Sequence, residues 1–194
     1  MKIIAITGSI GCGKTFLSDI IRKLGYVVYD ADKWVKYLYY RPEFLDVIKQ
    51  NFPEVFDNEH FNKRKLRNLV FNNNSELKRL EKIIHPFLKK KLLKIIHKNA
   101  QKDKIFFFDA ALLFEMKWNN YCQAVILADV DKSVQKMRVM KRDRISAEDF
   151  DKIVSIQMDN SLKKQYSDVV INTDKKENIL KIELIKIIEE LTNA

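Results

Sequence analysis

Residues Gly8-Ser9-Ile10-Gly11-Cys12-Gly13-Lys14-Thr15 satisfy the pattern G-x-x-x-x-G-K-[ST]. Such a loop does one kind of chemistry. Its backbone N–H groups point at phosphate oxygens, and the positive end of the helix that follows adds to the attraction. Lys14 is placed to reach the β- and γ-phosphates of a nucleoside triphosphate, and the Thr15 hydroxyl to serve as a ligand of Mg2+. Gly8, Gly11, Cys12, Gly13, Lys14, Thr15 and Phe16 are therefore expected to form an ATP site. The chain has only four glycines, and three fall in this loop, where backbone freedom or close approach of a ligand requires them. Cys12 reads in two ways: a small residue that fits the loop, or a thiol made acidic by the helix N-terminus.

Further candidates are carboxylates and arginines. Asp30 and Asp32 follow the short run Tyr26 to Tyr29, at the carboxyl end of a strand, where open α/β sheets bind their ligands. Asp32 could orient or deprotonate an acceptor hydroxyl near the γ-phosphate; either residue could instead cap the helical run that begins at Lys33. Asp109 ends the run IFFFD as a Walker B aspartate does, and with Thr15 it is the candidate metal ligand. Arg138 and Arg142 share one helix face. A mobile segment carrying them could neutralise charge on a transferring phosphoryl group and exclude water. Alternatively they belong to a solvated basic face with Lys136, Lys141 and Arg144.

The elements that must position these groups read clearly at both ends of the chain. Lys2 to Thr7 is an apolar run of the kind buried on both faces of a parallel sheet. Lys14 to Leu24 has helical spacing and stops at Gly25, and Tyr26 to Tyr29 is a second strand. From Lys33 to about Lys104 the periodicity is helical with no convincing strand. There Ser75 offers an N-cap, and Pro86 is expected to kink or split a helix near His85. Strands resume at Ile105 to Asp109, Ala124 to Ala128 and Val169 to Ile171. Ser133 to Lys141 and Ser146 to Lys164 read as helices, and Glu177 to Leu191 closes the chain as an amphipathic one. The expected fold is α/β and doubly wound, around a five-stranded parallel sheet.

Composition narrows the class. At 194 residues the chain supports one well-buried core with room for an insertion. No glycine follows Gly25, which removes the D-x-x-G switch of a GTPase, and Asn62-Lys63-Arg64-Lys65 fails the guanine motif N-K-x-D. Mechanical ATPases are normally longer, so a compact phosphotransferase is left. The net charge of +10 fits a polyanionic partner, or equally the lysine drift of an A/T-rich genome, because the lysines are dispersed. Two cysteines without metal-ligand spacing, no apolar stretch near the ~20 residues that span a bilayer, and no signal-peptide h-region lead to an expected cytoplasmic protein without membrane association.

The chain resembles the dephospho-coenzyme A kinase family over essentially its whole length. The matching pieces are TGSIGCGKT, the DAD of 30–32, Arg64 with Leu66 and Val70-Phe71, and LEKIIHP at 80–86. DAALLFE at 109–115, Arg138 with Arg142-Asp143, Gln157 followed by Lys163, and SDVVIN at 167–172 complete them. The resemblance implies a single nucleoside-monophosphate-kinase-like P-loop domain over 1–194. Its core would be 1–32, 105–132 and 166–194, with a helical acceptor-binding insertion at 33–104 and a lid at 133–165. It implies transfer of the ATP γ-phosphoryl group to the ribose 3′-hydroxyl of dephospho-coenzyme A, with Mg2+, in the last step of coenzyme A synthesis. Asp32 is then the base, Lys14, Arg138 and Arg142 assist transfer, and Asp32, Arg64, His85 and Leu112 bind the acceptor. For His85 the plainer reading is a residue held at the Pro86 kink. The expected partners are the two small substrates and no nucleic acid, in a monomer or weak homo-oligomer. A nucleoside monophosphate kinase is the rival reading, and a nucleic-acid-binding ATPase or a non-catalytic nucleotide sensor are more distant ones. Departures from the family pattern are Ser9 for Gly, Phe16 for Ser or Thr, Lys63 for Arg, and Ala111 for Pro.

Overall fold

The computed structural model describes residues 2–99 and 104–193. In chain order the elements are β1 (Lys2–Thr7), α1 (Lys14–Lys23), β2 (Val27–Asp30), α2 (Ala31–Leu38) and α3 (Pro42–Asn51). Next come β3 (Phe56–Asp57), β4 (His60–Phe61), α4 (Lys63–Asn72), α5 (Asn74–Asn99), β5 (Ile105–Asp109) and β6 (Ala124–Asp129). The chain ends with α6 (Lys132–Asp143), α7 (Ala147–Ser155), α8 (Asn160–Gln165), β7 (Val169–Asn172) and α9 (Glu177–Asn193). These elements divide into two compact units, one of residues 2–31 with 104–193 and one of residues 32–99. Residues 100–103 of the expected insertion, and Met1 and Ala194 of the expected core, lie outside the described residues.

The first unit is built on a five-stranded parallel sheet in the order β2-β5-β1-β6-β7. Side chains alternate between the faces of a strand, and here both faces are apolar. Ile4, Ile6, Phe107, Ile126 and Ile171 join Leu17, Ile20 and Ile21 of α1 and Leu180, Leu184 and Ile188 of α9 in one core cluster. Their neighbours Ile3, Ala5, Phe106, Phe108, Val125 and Leu127 are buried as well. This double burial explains why β1, β5 and β6 read as continuous apolar runs; the edge strands β2 and β7 are shorter and partly exposed. Carboxyl ends of β1, β2 and β5 come level: Ile6 pairs in register with Asp109, and Asp109 with Asp30.

Residues 32–99 depart from the expected all-helical insertion in one place. Phe56–Asp57 and His60–Phe61 form a two-stranded antiparallel hairpin. Its turn residues Asn58 and Glu59 both take positive φ, 44° and 73°, as a two-residue hairpin turn requires. Strands of two residues carry no periodicity, so the hairpin leaves no trace in the pattern. Phe44 packs edge-on against both Tyr39 and Phe87, and Tyr39 stacks on Phe61 of the hairpin. Along α5, Leu80, Ile84, Leu88 and Leu92 recur every fourth residue on the buried face.

Three helix expectations need correction. Asn73, not Ser75, caps α5: its Oδ1 accepts from the Ser75 N–H at 3.0 Å and the Glu76 N–H at 3.4 Å. α5 is not split at Pro86 but runs as one helix of 26 residues, its apolar face supplying the packing that holds it together. The stretch from Ser146 to Lys164 is two helices. Ser146 caps α7, its Oγ accepting from the Asp149 N–H at 3.1 Å, but α7 ends at Ser155. Asp159 then caps α8 through the Ser161 N–H at 2.7 Å.

Candidate active site

The glycine-rich loop joins β1 to α1, as its pattern demands. Gly13 is the N-cap of α1 with φ 83°, and a Cβ there would lie 2.5 Å from the Thr173 hydroxyl. Only glycine satisfies both the backbone conformation and that closeness. Lys14 opens the helix and is buried, Thr15 is exposed, and Phe16 packs against the core cluster. Cys12 is buried at 1% exposure. Burial pushes its thiol up to about 11, against the smaller lowering effect of a hydrogen bond from Asn160. Of the two readings of Cys12, the small residue that fits the loop is the one this burial supports, and not the acidic thiol.

Lys14 Nζ donates to Asp109 Oδ1 at 2.6 Å, and Ser18 Oγ donates to Oδ2 at 2.7 Å. Burial raises the Asp109 pKa despite these bonds, and the neighbouring Asp30 carboxylate raises it further. Hydroxyl and carboxylate oxygens from Thr15, Asp109 and Asp30 suit Mg2+, a hard ion that takes one or two protein carboxylates and completes its shell with phosphates and water. Among the described residues no group of three or more His, Cys, Asp or Glu could hold a metal by itself. That donor set fits a metal arriving with phosphates.

Arg138 and Arg142 lie on α6 but hold different partners. Arg138 reaches the end of β7, donating to Thr173 Oγ1 at 3.1 Å and to Asp174 Oδ1 at 2.9 Å. Arg142 forms a two-pronged pair with its neighbour Asp143, both bonds at 2.8 Å. Leu112 is half-buried in the turn after β5. Lys163, fully buried, donates to Ala111 O in the same turn at 2.7 Å. Lys163 thus fastens the turn in which Ala111 stands where the family pattern has Pro.

In the second unit Asp32 is exposed in the first turn of α2, where the helix dipole favours a carboxylate. Arg64 is exposed in the first turn of α4, a helix that packs on α5, and its N–H is capped by Asn62 Oδ1 at 3.1 Å. His85 is half-buried on α5, and burial lowers its pKa. A groove of about 910 Å³ between α2 and α5 is lined by Trp34, Tyr37, Arg41, Glu43, Phe87 and Lys91, among others. Lys91 Nζ sits 4.9 Å from the centre of the Trp34 ring. Burial, and then Arg41, lower its pKa.

Four residues that support the loop were not assigned a role from the sequence: Gln135, Gln157, Asn160 and Thr173. Gln135 Nε2 donates to Ile10 O at 2.7 Å, and Thr173 Oγ1 donates to Cys12 O at 2.9 Å. The order of residues gives no signal for such long-range bonds. Gln157 alone stood out, through its place in the family pattern.

A family model described as dephospho-CoA kinase matches residues 2–178. The dephospho-CoA kinase of Bartonella henselae is 37% identical over 176 residues, covering 90% of each chain. A crystal structure from Thermus thermophilus superposes with a TM-score of 0.84 at 28% identity, covering 98% of this chain and 97% of the other. The dephospho-CoA kinase structure from Campylobacter jejuni gives 0.71 at 28% identity, covering 100% and 98%.

Proposed function

The chain belongs to the dephospho-CoA kinase family, and from that membership we infer that it transfers the γ-phosphoryl group of ATP to the ribose 3′-hydroxyl of dephospho-coenzyme A. The products are coenzyme A and ADP. The observation that carries this reading is the phosphate loop between β1 and α1, with Lys14 on the Asp109 carboxylate, inside a chain matched to one family nearly end to end.

Asp32 takes the role of general base. As the 3′-oxygen bonds to phosphorus and the bond to the β-phosphate oxygen breaks, the hydroxyl proton passes to the carboxylate and then to solvent. The loop N–H groups and Lys14 hold the triphosphate, and Arg138 and Arg142 supply positive charge toward the phosphates. Mg2+, held through Thr15 and Asp109, would neutralise phosphate charge when bound. Arg64, His85 and Leu112 contact the acceptor. The groove lined by Trp34, Tyr37, Arg41 and Lys91 supports an acceptor-binding role for residues 32–99, because aromatic walls and cations suit a substrate that carries a diphosphate. The setting is cytoplasmic and the working form a monomer or weak homo-oligomer; among the described residues no helix is long and apolar enough to cross a membrane.

An acceptor screen tests this function. ADP formation is expected with dephospho-coenzyme A and not with AMP, CMP, UMP or dTMP. Turnover confined to a nucleoside monophosphate would replace the reading with the rival kinase class.

A further inference from the structure

The phosphate loop is held by its backbone from the connection between α7 and α8 and from the first residue of α8. Gln157 Oε1 accepts from the Ile10 N–H at 2.9 Å. Asn160 Oδ1 accepts from the Ser9 N–H at 3.2 Å and from the Ser9 hydroxyl at 2.8 Å. The other end of the Asn160 amide donates to Asp129 Oδ1 at 2.8 Å and to Cys12 Sγ at 3.2 Å. Both ends of the amide are committed, so its orientation is fixed. Ser9 is 4% exposed, and solvent has little access to the groups that Asn160 satisfies.

The connection is itself anchored. Met158 N–H donates to Glu115 Oε1 at 2.8 Å, and Glu115 pairs with the buried Lys163 at 3.3 Å. Lys163 also grips Ala111 O, so a continuous chain of polar contacts runs from the turn after Asp109 to Ser9 and Ile10.

A loop with glycine at 8, 11 and 13 has much backbone freedom to lose. If that freedom were lost only when nucleotide binds, the cost would be subtracted from affinity; a loop ordered beforehand avoids it. We propose that Gln157 and Asn160 are positioning residues for phosphoryl transfer, fixing the Ser9–Ile10 backbone so that the N–H groups beyond it converge on the triphosphate. Neither residue touches the reacting atoms. Ser9 and Asn160 act as a pair: the hydroxyl introduced where the family usually has glycine is received by the Asn160 side chain.

The proposal rests on the loop being the triphosphate site, and its deciding probe, tripolyphosphate, involves no acceptor. Gln157→Met keeps the approximate side-chain volume and removes the amide that receives the Ile10 N–H; Asn160→Ala removes the amide and shortens the side chain. Calorimetric titration with MgATP and with inorganic tripolyphosphate is expected to show dissociation constants raised roughly tenfold for each variant. KM for dephospho-coenzyme A should stay within about twofold, with melting temperatures close to the parent. Unchanged tripolyphosphate affinity in Gln157→Met would overturn the proposal. So would equal weakening toward ATP and acceptor, which marks a general structural loss. Should Asn160→Ala fail to fold, Gln157→Met decides alone, because its shape is preserved.

Discussion

Lys14 Nζ lies 2.6 Å from Asp109 Oδ1, and the two side chains are only 10% and 2% exposed. A cation assigned to phosphate and a carboxylate assigned to metal therefore stabilise each other across the central strands. Removing one member leaves the other charged and enclosed. Asp109→Ala is expected to cost about 3–5 kcal/mol of stability, and Asp109→Asn less, with turnover lowered in both. Thermal melts beside steady-state rates check this; an Asp109→Ala protein as stable as the parent would refute it.

Asp32→Asn should reduce kcat by about 10²–10⁴, the usual contribution of a general base. ATP affinity should be unaffected. Single-turnover rates and nucleotide titrations separate the two effects, and a normal rate would remove Asp32 from the mechanism.

Cys12 should resist alkylation at neutral pH, since burial holds its thiol at about 11. Mass spectrometry after iodoacetamide treatment at neutral pH should find it unmodified in the native protein and modified after unfolding. The raised pKa also has a stability consequence. Its contribution is complete below the unfolded value of 9.0 and is lost as pH rises from there through about 11. The melting temperature should therefore fall over that interval, and less steeply in Cys12→Ala.

His85 titrates in the opposite sense. Burial lowers its pKa from 6.5, so the folded state favours the neutral ring. The associated stability is present above 6.5 and is lost as pH falls through the folded value. Acidification below 6.5 should lower the melting temperature of the parent more than that of His85→Gln. Identical pH profiles would show that the ring is not desolvated.

The parallel sheet was legible because β1, β5 and β6 are buried on both faces and carry uninterrupted apolar runs. The loop was legible because Gly8, Gly11, Gly13, Lys14 and Thr15 are contiguous. What escaped lacks either property. The Phe56–Phe61 hairpin is too short for a period. The break at 156–159 interrupts a helical pattern whose new start, at Asp159, looks like any acidic helical residue. Ser75 reads as the cap of α5, but Asn and Ser both suit an N-cap, and only geometry assigns the role to Asn73. The bonds from Asn160 and Thr173 to the loop cross some 150 positions of chain, a distance over which one sequence holds no correlation.

Thr173 stands just past β7, the outermost strand on its side of the sheet, and its hydroxyl both donates to the Cys12 carbonyl and accepts from Arg138. The loop expected to hold phosphate is thereby tied to one outer margin of the sheet. Fraying of that margin, through a weakened α9 or a substitution in 169–172, should blunt nucleotide capture while the rest of the sheet is still intact. Ligand affinity in this chain is thus a gauge of edge integrity, and it should register damage before any melting curve does.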